Sequence, residues 1–230
     1  MGCEYIIKKN RNSITIEDSK TEHSLHINPH FSESNDWKSL YFYAPWKNSK
    51  MLVTARDFSD YNANVLKIPI DSKFQYIEVG AGLGGFVQYV VEKLEGSCPR
   101  PIIIDPVNYD VLLNLLAFAE NQALNAAQYA RIKTLKARCN LFLDRTKVNV
   151  ISAKLSYAVN NNSRLLNIAD FVVDNKGPSL HTATEYDFFN KKSINSKNFG
   201  SSEKFIYELE KKLLKPSGKV ISHYSSDCKI

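Results

Sequence analysis

A run of glycines near position 80 constrains the fold of this chain more than any other feature. The segment Tyr76–Val79 is apolar apart from one acid, and glycines follow it at positions 80, 82, 84 and 85. Glycine suits a backbone of positive φ, or one that a ligand approaches closely. An apolar helical pattern then begins, with members at Val87, Val90, Val91 and Leu94. The segment therefore predicts a strand, a tight turn, and a helix whose N-terminal N–H groups face a ligand.

Two ligand classes fit this turn. Gly80, Gly82 and Gly85 satisfy G-x-G-x-x-G, the dinucleotide-binding pattern. Glu78, Gly80, Gly82 and Gly84 satisfy acid-x-G-x-G-x-G, which resembles the first motif of the class I, Rossmann-like methyltransferases that use S-adenosylmethionine. Glycine spacing alone leaves both classes open.

Features around the turn favour the methyltransferase resemblance. A predicted buried strand at 101–105 ends in Asp105, whose carboxylate can accept the two ribose hydroxyls that either ligand carries. Glu78, however, stands where dinucleotide sites usually have an apolar residue. The segment 213–221, Leu-Leu-Lys-Pro-Ser-Gly-Lys-Val-Ile, resembles the lead into the family's fifth strand. The resemblance extends from about Phe74 to Ile221.

The resemblance implies a fold, a cofactor and a set of site residues. The fold is α/β: a Rossmann-like open, mostly parallel sheet with helices on both faces. The backbone at Gly80 and Gly82 would approach the methionine end of S-adenosylmethionine, Glu78 would support its amino group, and Asp105 would take its ribose. The implied cofactor-binding residues are Glu78, Gly80, Ala81, Gly82, Gly84, Asp105, Pro106, Ser152 and Asp174.

The acceptor side of the site is less marked. The predicted fourth strand, 169–174, ends in Asp174, and ligands of open α/β sheets lie at the carboxyl ends of the strands. Asp174 and His181 are therefore the catalytic candidates, as groups that position or deprotonate a methyl acceptor. The chain departs from the family after strand three, where Ser152 precedes Ala153 and Lys154 instead of the acid that bonds the adenine.

The sequence predicts an N-terminal β-rich extension over residues 1–70 and a methyltransferase domain over 71–230. A hairpin is expected from Tyr5 to Ile16, and a single helix from about 109 to 129. The aromatic run around Trp37–Trp46 forms either the small core of the extension or the lining of a substrate pocket. The family's last strand hairpin is missing after a fifth strand at about 219–223. That strand edge is expected to pair with the extension, with another subunit, or with nothing.

A basic helical insertion is predicted at about 130–147. It carries Arg131, Lys133, Lys136 and Arg138, in a chain with a net charge of +6. RNA is a possible partner for this segment, although charge runs of this kind are commonly solvated helix faces.

Other features restrict the class of protein. The four cysteines are scattered, which favours reduced thiols and a cytoplasmic location. Pro29 interrupts the histidines at 23, 26 and 30, so no metal site is expected. No apolar stretch is long enough to span a bilayer, and no membrane association is expected.

Three hypotheses about function follow. The first is a methyltransferase that acts on an unidentified acceptor. The second is a methyltransferase-like binding or scaffold module with little or no activity. The third is a nicotinamide-dependent enzyme, which Glu78 disfavours.

Overall fold

The computed structural model describes residues 4–10, 13–27, 40–46, 49–53, 55–95, 99–123, 126–175 and 199–222. The chain forms two compact units. The first comprises Met1–Arg56, Gly82–Gly85 and Val107–Asp144, and the second comprises Asp57–Ala81, Phe86–Pro106 and Arg145–Ile230. The domain boundary expected near residue 70 remains a prediction.

Five consecutive strands come first, and helices and strands then alternate except for one pair of adjacent helices. In order they are β1 (Tyr5–Asn10), β2 (Ser13–Asp18), β3 (Ser24–Ile27), β4 (Leu40–Trp46), β5 (Ser49–Val53), α1 (Ala63–Leu66), β6 (Tyr76–Val79), α2 (Phe86–Leu94), β7 (Ile102–Ile104), α3 (Tyr109–Glu120), α4 (Ala126–Leu143), β8 (Asn149–Ile151), α5 (Leu155–Asn161), β9 (Ala169–Asp174), α6 (Phe199–Leu213) and β10 (Leu214–Ser222). Single 3-10 turns lie at Phe58–Asp60 and Ser163–Leu165. No helix of the described ranges is both long and apolar enough to cross a membrane.

The first unit contains an antiparallel sheet in the order β1-β2-β3-β4-β5. Alternate residues of its inner strands are buried, because successive side chains of a strand point to opposite faces. These residues are Ile14, Ile16, Leu25, Ile27 and Phe42. The predicted N-terminal β-structure and its first hairpin, in which Tyr5 lies opposite Asp18, are therefore confirmed.

Two helices complete the first unit. α3 packs on β2, β3 and α4. The prediction of one helix from 109 to 129 is wrong, because α3 ends at Glu120. The N–H groups of Asn121 and Gln122 bond back to Phe118 and Ala119 in a tight turn, which stops the helix before α4 begins.

The second unit contains a five-stranded parallel sheet in the order β10-β9-β6-β7-β8. Numbered along the chain, this is 5-4-1-2-3, which is the Rossmann-like order of the first five strands. Apolar residues of α5 and α6 pack with Ile77 and Val79 on one face of the sheet. On the other face the ring of Phe86, from α2, contacts Tyr76 edge-on. The predicted Rossmann-like fold with helices on both faces is confirmed, and within the described residues β10 is the last strand.

Candidate functional site

The carboxyl ends of the parallel strands lie side by side, as the register requires. Ile104 pairs with Val79 on one side and Ile151 on the other, and Asp174 pairs with Ser222. The strand order reverses between β6 and β9. A reversal of this kind opens the crevice in which open α/β sheets bind their ligands.

The glycine turn begins at this crevice. Gly80 has φ 63° and Gly82 has φ 55°, a left-handed conformation in which a Cβ would be strained. The Gly80 N–H donates to the Ile104 carbonyl at 2.9 Å, which ties the start of the turn to the neighbouring strand. The conformation therefore explains why glycine is needed at these two positions.

Glu78 lies two residues before the turn and is buried, at 2% exposure. The Tyr61 hydroxyl donates to its Oε1 at 2.6 Å. The Tyr61 ring lies in an aromatic cluster with Phe58 and Phe86, and Phe58 stacks on Tyr89 at 4.0 Å. The aromatic cluster thus holds the donor that fixes the acid.

Sequence reasoning missed Tyr61. The chain between Asp57 and Leu66 is not one continuous helix, because it is extended at Tyr61 and Asn62, and the Asn62 side chain caps α1. Tyr61 lies 17 positions before Glu78. Since the pairing is made by the tertiary fold, no local pattern could have indicated it.

Asp105 follows β7 and is also buried, at 3% exposure. Its N–H donates to the Ile151 carbonyl at 3.1 Å, which places Asp105 beside the end of β8. Ser152 follows that strand and is exposed, while Pro106 is half-buried. The structure therefore brings Gly80, Asp105 and Ser152 to the ends of adjacent strands.

Asp174 ends β9 and is wholly buried. It is hydrogen-bonded to Glu210 of α6, which is 2% exposed. Burial, followed by the negative charge of Asp174 and the hydrogen bond to it, raises the pKa of Glu210 well above its ordinary value. The raised pKa favours the protonated form of Glu210, which can donate a hydrogen bond to Asp174.

Glu210 was not a predicted site residue. The local sequence of α6 shows only an apolar face of Phe205, Ile206, Leu209 and Leu213, and Glu210 adjoins that face. Asn175, next to Asp174, is 8% exposed, and its carboxamide makes no hydrogen bond with a described residue. His181, the other catalytic candidate, lies outside the described residues.

The basic helix α4 directs two of its four predicted RNA-contacting residues inward. Arg131 donates to the Ala55 carbonyl at 3.2 Å. Arg138 donates to the carbonyls of Arg56 at 3.0 Å and Leu83 at 2.6 Å. These arginines are only 7% and 4% exposed, so they connect the helix to backbone of the same unit.

The two lysines of α4 lie nearer the solvent. Lys136 forms an ion pair with Glu120 at 2.7 Å, with a third of its side chain exposed. Lys133 is exposed and lies over the Tyr129 ring at 5.4 Å. Of the four basic residues, these two are the ones available to an anionic partner.

The histidines that the sequence places near one another bond to neighbouring residues. The Nδ1 of His23 donates to the Thr21 carbonyl, the Nδ1 of His26 lies 2.9 Å from the Thr15 hydroxyl, and burial lowers the pKa of His26. No three potential metal ligands cluster within the described part of the chain, and His30 lies outside it.

Of the aromatic run, Phe42 is buried and stacks on His23, while Trp37 is not described.

Comparisons with known proteins leave the family open. No protein-family model and no curated protein matches the chain. A solved spermidine synthase in complex with the transition state analogue AdoDATO is 12% identical, with a TM-score of 0.41 over 94% of this chain and 55% of that one. The spermidine synthase from Thermotoga maritima is 11% identical, with a TM-score of 0.36 over 90% of this chain and 63% of that one. The chain thus spans a little over half the length of these proteins.

Proposed function

We propose that the protein is an S-adenosylmethionine-dependent methyltransferase. One observation carries this proposal: a buried acid, Glu78, is held by a tyrosine hydroxyl directly before a turn whose first two glycines need positive φ. A second buried acid, Asp105, follows the adjacent strand. Dinucleotide sites usually have an apolar residue at the position of Glu78. In S-adenosylmethionine, by contrast, the amino group can bond to an acid at this position.

The cofactor, when bound, supplies a methyl group on an activated sulfonium, so the protein needs mainly to position the reactants and exclude water. In this proposal Glu78 accepts hydrogen bonds from the cofactor's amino group, and Asp105 accepts them from the ribose hydroxyls. The backbone at Gly80 and Ala81 approaches the methionine end. Gly82, Gly84, Pro106, Ser152 and Asp174 stay in the proposed set on the strength of the sequence motif.

Asp174 is the described residue that the sequence assigns to the methyl acceptor. Asp174 is wholly buried, so a direct contact with an acceptor requires a movement of this strand end. Proton transfer by Asp174 or His181 remains a prediction. RNA remains a candidate acceptor, with Lys133 and Lys136 as the contacting residues.

Oligomerisation through the β10 edge is a further proposal. So is a cytoplasmic location, which fits the free, buried Cys139.

One observation favours the alternative of a scaffold module without activity. The Asp174–Glu210 pair places two buried acids at the carboxyl end of β9 that bond to each other, as a structural pair would. Cofactor binding separates the two proposals, because a scaffold of this kind needs no cofactor.

The test is calorimetric titration with S-adenosylhomocysteine, with NADH and NADPH as competing ligands. We expect micromolar affinity for S-adenosylhomocysteine. Asp105→Ala should lose at least about 30-fold of this affinity, since two hydrogen bonds from the ribose to a charged carboxylate contribute about 2 kcal/mol or more. Asp71→Ala, at a half-exposed loop acid, is the matched control. Binding of NADH instead would favour the nicotinamide enzyme, and no binding at all would favour the scaffold.

A further inference from the structure

Asn175 is a buried polar side chain that directly follows β9. It is 8% exposed, and neither the Oδ1 nor the Nδ2 of its carboxamide has a hydrogen-bond partner within the described residues. Burial of an unpartnered carboxamide costs free energy, and native proteins keep few such groups. Either a water or a polar group of a ligand can supply the missing partners, and the position of Asn175 in the sheet favours the ligand.

The register of the parallel sheet sets Asn175 beside the first glycine of the turn. β9 pairs with β6 in parallel, and Val173 lies opposite Glu78. Two residues further along both strands, Asn175 comes level with Gly80. Neighbouring strands lie about 4.8 Å apart, and Gly80 has positive φ and no Cβ. Asn175 therefore lies beside the part of the turn that a ligand can approach most closely.

Two consecutive residues from outside the sheet bond to the strands on either side of β9. The Tyr61 hydroxyl donates to Glu78 of β6 at 2.6 Å, and the Asn62 Nδ2 donates at 3.2 Å to the carbonyl of Ser222, at the end of β10. β9 lies between β6 and β10 in the sheet. The chain at Tyr61 and Asn62 therefore crosses the carboxyl end of β9, so Glu78 and Asn175 lie beneath the same short segment.

A carboxylate and a carboxamide together match the two charged groups of an amino acid. An ionised glutamate only accepts hydrogen bonds, so Glu78 suits an ammonium group. The remaining group, a carboxylate, needs a donor, and the Asn175 Nδ2 is a donor that can form a charge-assisted hydrogen bond with it. The nearest acid along the chain, Asp174, is bonded to Glu210 of α6.

The inference rests on the proposed cofactor and adds a specificity-determining residue to its site. We propose that the Asn175 Nδ2 donates to the carboxylate in the methionine part of S-adenosylmethionine, while Glu78 accepts from the ammonium group. Asn175 thereby selects ligands that keep this carboxylate over ligands that have lost it.

Three ligands test the assignment by calorimetry. S-adenosylhomocysteine has both charged groups, S-adenosyl-3-thiopropylamine lacks only the carboxylate, and 5′-methylthioadenosine lacks both. Asn175→Leu should weaken binding of S-adenosylhomocysteine about 10- to 100-fold, because this ligand offers a charged partner to the Nδ2. It should change the affinity for the other two ligands by less than about 3-fold. Asn161→Leu, at an exposed asparagine of the same unit, is the matched control.

The role of Asn175 and the proposed function fail in different ways. If the wild type binds S-adenosylhomocysteine but Asn175→Leu weakens both amine ligands equally, or weakens neither, the role of Asn175 is wrong and the proposed function stands. If the wild type binds none of the three ligands, the proposed function is wrong, and the role of Asn175 fails with it.

Stability separates a ligand-binding carboxamide from a structural one. Leucine keeps the branched shape of asparagine and removes the unpartnered polar atoms, so Asn175→Leu should keep the Tm of the ligand-free protein or raise it. Asn175→Asp, which also keeps the size of the side chain, is the second variant. It replaces the donor with an acceptor, so it too should weaken S-adenosylhomocysteine more than S-adenosyl-3-thiopropylamine. A lower Tm in both variants with an unchanged ligand preference would assign Asn175 a structural role and overturn the proposal.

Discussion

At the scale of residues, the hydrogen bond from Tyr61 to Glu78 is the contact most open to test. Tyr61→Phe keeps the ring in its aromatic cluster and removes the donor from a carboxylate that is 2% exposed. We expect a 5- to 30-fold loss of affinity for S-adenosylhomocysteine, since a hydrogen bond to a charged group contributes about 1 to 2 kcal/mol. Tyr89→Phe, which keeps the ring stacked on Phe58, is the calorimetric control. Equal losses in both variants would contradict the role of Tyr61.

Glu210 gives a prediction about pH. Burial and the charge of Asp174 raise its pKa above the ordinary 4.5, so the folded protein keeps a proton that the unfolded chain releases. The stability this group contributes is complete below about pH 4.5 and is lost as the pH rises through the folded pKa. Glu210→Gln stays neutral and can still donate to Asp174.

We therefore expect the free energy of unfolding of the wild type, relative to Glu210→Gln, to fall as the pH rises above about 4.5. The slope is at most about 1.4 kcal/mol per pH unit. Urea unfolding at several pH values measures it. Parallel curves for the two proteins would mean that Glu210 takes up no extra proton on folding.

Some residues of the candidate site can be predicted from the local sequence, and others cannot. Gly80, Asp105 and Asp174 follow buried apolar runs, and strand ends at a switch point can be recognised from that local pattern. Tyr61 and Glu210 owe their positions to contacts with residues far away along the chain. Glu210 lies 36 residues after Asp174 (210 − 174), on a helix whose local pattern predicts only an apolar face.

At the scale of elements, β10 depends on Gly218. A Cβ at this position would lie 2.7 Å from the Ala169 carbonyl oxygen and 2.9 Å from a methyl group of Leu214. The first of these is a backbone atom of β9, next to the register shift, and it cannot move aside easily. We expect Gly218→Ala to cost about 1 to 3 kcal/mol in urea unfolding. Ser217→Ala, at an exposed neighbour, should cost little, and a neutral Gly218→Ala would contradict this close approach.

The helix α4 is predicted to stabilise the fold mainly through its buried arginines. Arg138→Ala leaves the carbonyls of Arg56 and Leu83 without this donor, so we expect a loss of about 2 to 4 kcal/mol in the free energy of unfolding. Lys133→Ala, at an exposed position, should change stability by less than about 0.5 kcal/mol. Thermal unfolding of both variants measures the difference, and similar melting temperatures would contradict it.

The sequence located this helix but not its orientation. A run of basic residues shows that a helix is basic. It does not show which arginines are buried, because that depends on the positions of backbone carbonyls elsewhere in the fold. The break between α3 and α4 was missed for a similar reason, since alanines on both sides of Asn121 continue the helical pattern through it.

At the scale of the whole molecule, the parallel sheet could be predicted because each strand carries its own apolar run and adjoins a helical segment. The division into units could not. Gly82–Gly85 and Val107–Asp144 belong with the antiparallel sheet, although both lie within the stretch of sequence that resembles a methyltransferase. Only contacts distant in sequence determine this grouping.

The last prediction concerns the stability of the chain as a whole. A ligand that binds only the folded state stabilises it by about 2.7 kcal/mol at 100 times its Kd. For a chain of 230 residues this corresponds to a rise in Tm of about 5 to 10 °C. We expect S-adenosylhomocysteine to produce this rise in the wild type and in Asp71→Ala, but not in Asp105→Ala at the same concentration. Because the rise requires selective binding to the native fold, a comparable one with NADH would assign the glycine turn to the other ligand class.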